Sequence, residues 1–290
     1  MVIDLGDGRQ LEVLVVGPDG GRPLVLHLGT PSGPVDVPAL TGPAAERGLR
    51  TVICGRPGYA GSTPRPGRTV ADVAGDVAAV LDRLGYDRFV TLGWSGGGPH
   101  ALACAALLPG RCAAAATLAG VAPYGAAGLD WLAGMGPENV EEFGAAAAGP
   151  EALTAFLDQA AAGLRGVTGD EIAAALGGLV PPVDVAAITG VFADSLAEGF
   201  RSAVSTGTAG WRDDDLAFVR PWGFEPAAIT VPVAVWQGGQ DLMVPPAHGA
   251  WLAAHIPGAD AHLDPAAGHI SLVNAAGPIL DALLTAAGQP

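Results

Sequence analysis

A serine set between glycines, where a strand passes into a helix, constrains this chain more than any other stretch. The residues are Thr91-Leu92-Gly93-Trp94-Ser95-Gly96-Gly97-Gly98-Pro99-His100. The apolar, β-prone run Arg88-Phe89-Val90-Thr91-Leu92 leads in, and the alanine-rich, helix-prone run Ala101–Leu108 leads out. A serine on so sharp a turn must take a strained backbone conformation, and Gly93 and Gly97 lack the Cβ atoms that would clash there. Such a turn pushes the hydroxyl into the open and aims the following amide hydrogens at the same space. Ser95 is therefore a candidate nucleophile.

The motif is the G-x-S-x-G nucleophile elbow, and here the chain resembles the α/β-hydrolase family. The resemblance implies further motifs, which occur in the family's order. Val231–Gln237 reads as a strand and runs into Gly238-Gly239-Gln240-Asp241-Leu242-Met243-Val244-Pro245. This is similar to the family's G-x-x-D-x-x-V-P, and places Asp241 as the acid of a triad. Gly268-His269 follows a last short strand at Ala261–Asp264 and precedes the terminal helix, the family's setting for the catalytic histidine. Each member follows an expected strand, where a parallel sheet exposes its catalytic loops. Serine, acid, histidine is the α/β-hydrolase order.

Half of an oxyanion hole is expected from the Gly96 N–H. The other half, in the family, comes from the loop after an early strand, here His27-Leu28-Gly29-Thr30-Pro31 after Leu24–Leu28. The Thr30 amide is the favoured donor, because Pro31 has no N–H, and Gly29 is its alternative. Gly55-Arg56-Pro57-Gly58-Tyr59-Ala60-Gly61-Ser62 is similar to the family's R-P-G-Y-G-x-S loop, with Arg56 expected to fix it by bonding nearby carbonyls or a carboxylate.

Strand-like and helix-like segments alternate up to about residue 122 and again from Val231, the pattern of a parallel sheet flanked by helices. Between them strand-like sequence is scarce. Helices are expected near 139–148, 151–164, 170–176 and 185–200. The expected fold is thus α/β, a mostly parallel doubly wound sheet of the α/β-hydrolase type with a helical cap inserted between strands. Residues 1–122 and 227–290 form the core domain and residues 123–226 the cap. Trp131, Trp211 and Trp222 in the cap, and Trp94 in the elbow, are candidates to line the substrate pocket, with Phe192 and Phe224 beside them. Trp211-Arg212-Asp213-Asp214-Asp215 reads as an acidic helix N-terminus, with a role in holding a charged substrate group as the alternative.

Composition narrows the function. The 290-residue chain contains no lysine, which excludes a Schiff-base lysine and a P-loop. A net charge of −15 argues against nucleic acid or anionic membranes as partners. The three cysteines form no C-x-x-C pair and read as small core residues. His248, His255 and His262 have no recognised metal spacing, and His27 and His100 read as locally bonded. No metal or cofactor is expected. With no apolar run long enough to span a bilayer and early acids at the N-terminus, a cytoplasmic protein acting on a small molecule is expected.

The resemblance implies a serine hydrolase cleaving an ester or lactone through an acyl-enzyme. Amide cleavage like that of proline iminopeptidases and carbon–carbon bond hydrolysis are the neighbouring reactions. A lyase using the same triad, or a ligand-binding protein with vestigial turnover, are the readings from other classes. Ser95 argues against haloalkane dehalogenases and epoxide hydrolases, which use a carboxylate nucleophile.

Overall fold

The computed structural model describes residues 1–288. Two short N-terminal strands, β1 (Val2–Asp4) and β2 (Gln10–Val16), form a hairpin. Then come β3 (Arg22–His27), α1 (Pro38–Glu46), β4 (Leu49–Cys54), α2 (Asp72–Leu84), β5 (Phe89–Trp94), α3 (Gly97–Leu107) and β6 (Cys112–Leu118). Six helices follow without an intervening strand: α4 (Pro137–Ala148), α5 (Pro150–Leu164), α6 (Ile172–Ala175), α7 (Pro182–Ala187), α8 (Gly190–Ala203) and α9 (Ala209–Phe218). The sheet resumes with β7 (Val233–Gly238), α10 (Pro246–His255), β8 (Asp260–Asp264) and α11 (Ala276–Ala286).

The eight strands form one sheet in the order β1-β2-β4-β3-β5-β6-β7-β8. β1, β2 and β4 pair antiparallel in succession, and every pairing from β4 to β8 is parallel. Helices cover both faces: Val73, Val77 and Leu81 of α2, Leu102 of α3 and Leu252 of α10 share one core, while Leu40 of α1 and Ile279 of α11 share the other. That double cover explains why β5 is buried along its whole length. It also explains how an alanine-rich run makes a central strand. Ala115 of β6 faces the first core and Ala114 and Ala116 the second, where small side chains let flanking layers close in. Position between β5 and β7 overrides the weak strand propensity of alanine.

The helix expected over 185–200 is in fact two. α7 ends at Ala187, and α8 begins at Gly190, whose φ of +50° suits a residue without a side chain. Among the described residues, no helix is long and apolar enough to cross a membrane.

Candidate active site

The elbow is built as its glycines require. Ser95 sits between β5 and α3 with φ of +56°, a left-handed conformation that is costly for a residue with a Cβ. A side chain on Gly93 would strike the Gly97 carbonyl, and one on Gly97 the His27 carbonyl, so only glycine fits at either place. The Ser95 N–H is tied to the Leu118 carbonyl at 2.8 Å and its carbonyl accepts from Gly98 at the same distance. The strain is thus held between the end of β6 and the first turn of α3.

Asp241 lies in the loop after β7, 2% exposed, and is met only by donors. Its Oδ1 accepts the N–H groups of Met243 (2.9 Å) and Val244 (2.8 Å), and its Oδ2 accepts the Gln237 side-chain amide (3.1 Å). His269 Nδ1 lies 2.8 Å from the same Oδ2. Because Asp241 presents acceptors, the proton of a neutral His269 belongs on Nδ1, which leaves Nε2 as a lone-pair site. The imidazole stacks on the Trp94 indole with ring centroids 6.1 Å apart, and the Trp94 N–H points at the His269 carbonyl. His269 and Ser95 face a common cavity of about 310 Å³. No hydrogen bond joins them among the described residues, an ordinary condition for such a pair without substrate.

The Gly29–Thr30 loop lies directly against the elbow: a Cβ on Gly29 would touch Ser95, and one on Gly96 would clash with Thr30. The N–H groups of Gly29, Thr30 and Gly96 donate to nothing among the described residues, so both loop amides stay free beside the serine. Arg56, expected to bond carbonyls or a carboxylate to fix its own loop, reaches across to this one, donating to the carbonyls of Leu28 (2.8 Å) and Gly29 (2.9 Å).

Arg56 is itself held by Asp214, and here the reading of Trp211–Asp215 as a helix N-terminus fails. α9 begins at Ala209, and Asp213, Asp214 and Asp215 lie inside it, all buried. Asp214 is a hub, pairing with Arg56 and Arg68 at 2.7 Å each and accepting the hydroxyls of Tyr59 (2.8 Å) and Thr30 (2.9 Å). Burial opposes its ionisation, but the two guanidiniums outweigh burial and hold its pKa well below the usual carboxylate range. His100 approaches Asp214 at 3.4 Å, and burial lowers its pKa to about 4. A buried carboxylate inside a helix is tolerated because Arg56, Tyr59 and Arg68 reach it from the β4–α2 connection, some 150 residues away in sequence.

Three further residues give no signal in the sequence. Asp184 of α7 is fully buried and reaches the histidine loop, accepting the N–H groups of His269 and Ser271 at 2.8 Å each. Gln237 bridges Asp241 and the Val244 carbonyl. Glu142 of α4 accepts the Trp211 indole N–H at 2.6 Å.

Of the four tryptophans considered for the pocket, Trp94 and Trp211 line the cavity and Trp131 and Trp222 do not. Trp131 is buried edge-on between Phe143 and His248 and donates to the Ala122 carbonyl. Trp222 packs on Phe224, away from the site. Both are buried instead in the apolar core that also holds residues of α2, α3 and α10. Phe192 stacks behind Trp94. His248 accepts the Ala122 N–H, His255 and His262 stack on Trp251 and Trp236, and Cys104 and Cys112 are buried. No group of metal-binding side chains occurs among the described residues.

The model of the α/β hydrolase fold matches residues 22–276. The chain belongs to the α/β-hydrolase family. Its likeness to solved structures runs the full length. An α/β hydrolase fold protein from Nakamurella multipartita is 27% identical, covers 99% of each chain and superposes with a TM-score of 0.66. A hydrolase from Pseudomonas aeruginosa PA01 is 24% identical over 99% of this chain and 98% of its own, with a TM-score of 0.69. The enol-lactonase from Burkholderia xenovorans LB400 is 24% identical over 97% of each chain, with a TM-score of 0.61. No curated protein matches the sequence. As an α/β-hydrolase, this protein carries its elbow and its Asp241–His269 pair at the C-terminal edge of the parallel strands, where such sheets place ligands.

Proposed function

We propose that this α/β-hydrolase cleaves an ester or lactone bond of a small molecule through an acyl-enzyme on Ser95. The observation that carries the reading is the 2.8 Å Asp241–His269 hydrogen bond in a loop facing the same cavity as a strained, half-buried serine. His269 Nε2 takes the Ser95 proton as Oγ attacks the carbonyl carbon, and Asp241 orients the ring and stabilises its positive form. The N–H groups of Gly96 and Thr30, with Gly29 as the neighbouring alternative, receive the oxyanion, each typically contributing roughly 3–4 kcal/mol. His269 returns the proton to the leaving alcohol. Water, deprotonated by the same nitrogen, then releases the acid.

The helical segment 123–226 acts as a cap: Glu142, Phe143, Phe156, Leu196 and Trp211 supply much of the cavity wall. Those residues set specificity. The esterase and lactonase character of structural neighbours such as the Burkholderia enol-lactonase agrees with this chemistry.

The test is hydrolysis of a p-nitrophenyl ester series, acetate to octanoate, by wild type and Ser95→Ala. Turnover by the wild type that falls by about 10⁴-fold or more in the variant is expected. Equal turnover by both, or none from folded wild type, would refute the proposal.

A further inference from the structure

The carboxyls and guanidiniums of the chain are unevenly shared by the cavity wall. Glu138 and Glu142, one turn apart on α4, and Asp215 on α9 all line it, and no arginine does; the chain has no lysine to offer. The fold leaves these carboxyls largely unused. Asp215 is fully buried, and neither of its oxygens has a hydrogen-bond partner among the described residues, whereas the adjacent Asp214 is saturated. Glu142 is half-buried and spends one oxygen on the Trp211 indole. Glu138 gives one oxygen to the Gly178 N–H and keeps the other buried and unpartnered.

A carboxylate offers only acceptors, so an unpartnered one inside an apolar cavity calls for a donor, and preferably a cation. The one donor that the Glu142–Asp215 pair itself can supply to Asp215 is a protonated Glu142 carboxyl, which an arriving ammonium would displace. Because these acids share the cavity with Ser95 and His269, the missing donor can be part of what is cleaved. From this geometry we infer that the cavity takes substrates carrying a protonated amine, received by Glu142 and Asp215 while the scissile carbonyl faces Ser95. The inference rests on the ester-hydrolase reading above and narrows its substrate class.

The titration of the pair fits that role. Asp215 is faced by Glu142, Asp214 and Arg68, and Glu142 by Asp215 and Trp211. Burial, and then the neighbouring Glu142, push Asp215 well above the usual carboxylate range, and burial also raises Glu142. Burial thus favours a proton kept on the pair when no ligand is bound. An arriving ammonium replaces that proton as the neutralising charge, the proton leaves to solvent, and both carboxylates become acceptors.

Two matched ester pairs test this. In each, a protonated nitrogen replaces a neutral group: 2-(dimethylamino)ethyl acetate against 3-methylbutyl acetate, and methyl 6-aminohexanoate against methyl heptanoate. At neutral pH, in at least one pair, kcat/KM for the ammonium ester should exceed that of its neutral partner by roughly 10- to 100-fold, the range for a charge-assisted hydrogen bond. The difference should lie mainly in KM, and Glu142→Gln should bring the ratio close to one. Neutral esters cleaved as well as or better than both ammonium esters would overturn the inference and leave ester hydrolysis standing. If folded protein cleaves none of the four, the ester reading fails. The inference is then judged by calorimetry with n-butylammonium chloride in two buffers of different ionisation enthalpy. Binding with proton release supports it, and no binding up to about 10 mM, the weak limit for so small a ligand, overturns it.

Discussion

Asp214 gives the sharpest test of how the helical segment is joined to the sheet. It is one buried anion shared by two buried guanidiniums, Arg56 and Arg68, each at 2.7 Å. Asp214→Asn keeps the shape and one acceptor oxygen, so the Tyr59 and Thr30 hydroxyls can still be served in turn. The charge is what disappears, and two desolvated cations then face each other without an anion. Removing one partner of a buried pair costs about 3–5 kcal/mol. Unfolding entropy near 2 cal/mol/K per residue, over 290 residues, converts about 4 kcal/mol into a Tm loss of about 7 °C. Calorimetry at neutral pH would measure it, with Asp281→Asn as a control. Asp281 pairs with Arg47 on an exposed surface and should leave Tm unchanged. Ester turnover should fall in Asp214→Asn even well below Tm, because Arg56 also holds the Leu28 and Gly29 carbonyls beside the serine. A Tm loss under about 2 °C would refute the argument that the hub joins the segments.

Asp184→Asn should lower kcat by about tenfold with KM little changed, because an amide has one acceptor and must turn its NH2 against the N–H of His269 or Ser271. A lower Tm with unaltered kcat would show that Asp184 supports the fold without positioning the histidine. The raised acids give stability a definite pH sign. A carboxyl whose folded pKa lies above its unfolded value contributes stability that is complete at acid pH and is lost as pH rises toward the folded value. Wild-type Tm should therefore fall more than that of Asp215→Asn between about pH 5 and about pH 9. Parallel curves for the two proteins would contradict a protonated pair.

Much of the architecture is legible because it is local. The apolar runs of β3 to β7 and the glycine turns after them are set by neighbours a few residues away, so the strands and their loops could be ordered before any coordinates. Ser95 is a candidate through the glycines that make its turn possible, and Asp241 and His269 through the motifs by which the chain resembles the α/β-hydrolases. The acidic run at 213–215 misled because its charge pattern suits an exposed helix start. Nothing within ten residues reveals that Arg56 and Arg68 lie above it. The tryptophans misled for a related reason: an aromatic fits a cavity wall or a packed interior equally well, and only the placement of α4 and α9 separates Trp211 from Trp131 and Trp222.

The chain by itself determined the alternation of strand and helix and the strained serine turn, because backbone sterics and hydrophobic period act over short spans, whereas the order serine, acid, histidine is what its resemblance to the α/β-hydrolases implies. The tertiary structure alone decided which carboxyls do what. Asp184 meets His269 across 85 residues and Asp214 meets Arg56 across 158, while Asp215, next to Asp214, forms no ion pair among the described residues and lines the cavity. Charge interactions in a dry interior depend on separation in space and on burial, and a linear sequence encodes neither until the chain has packed.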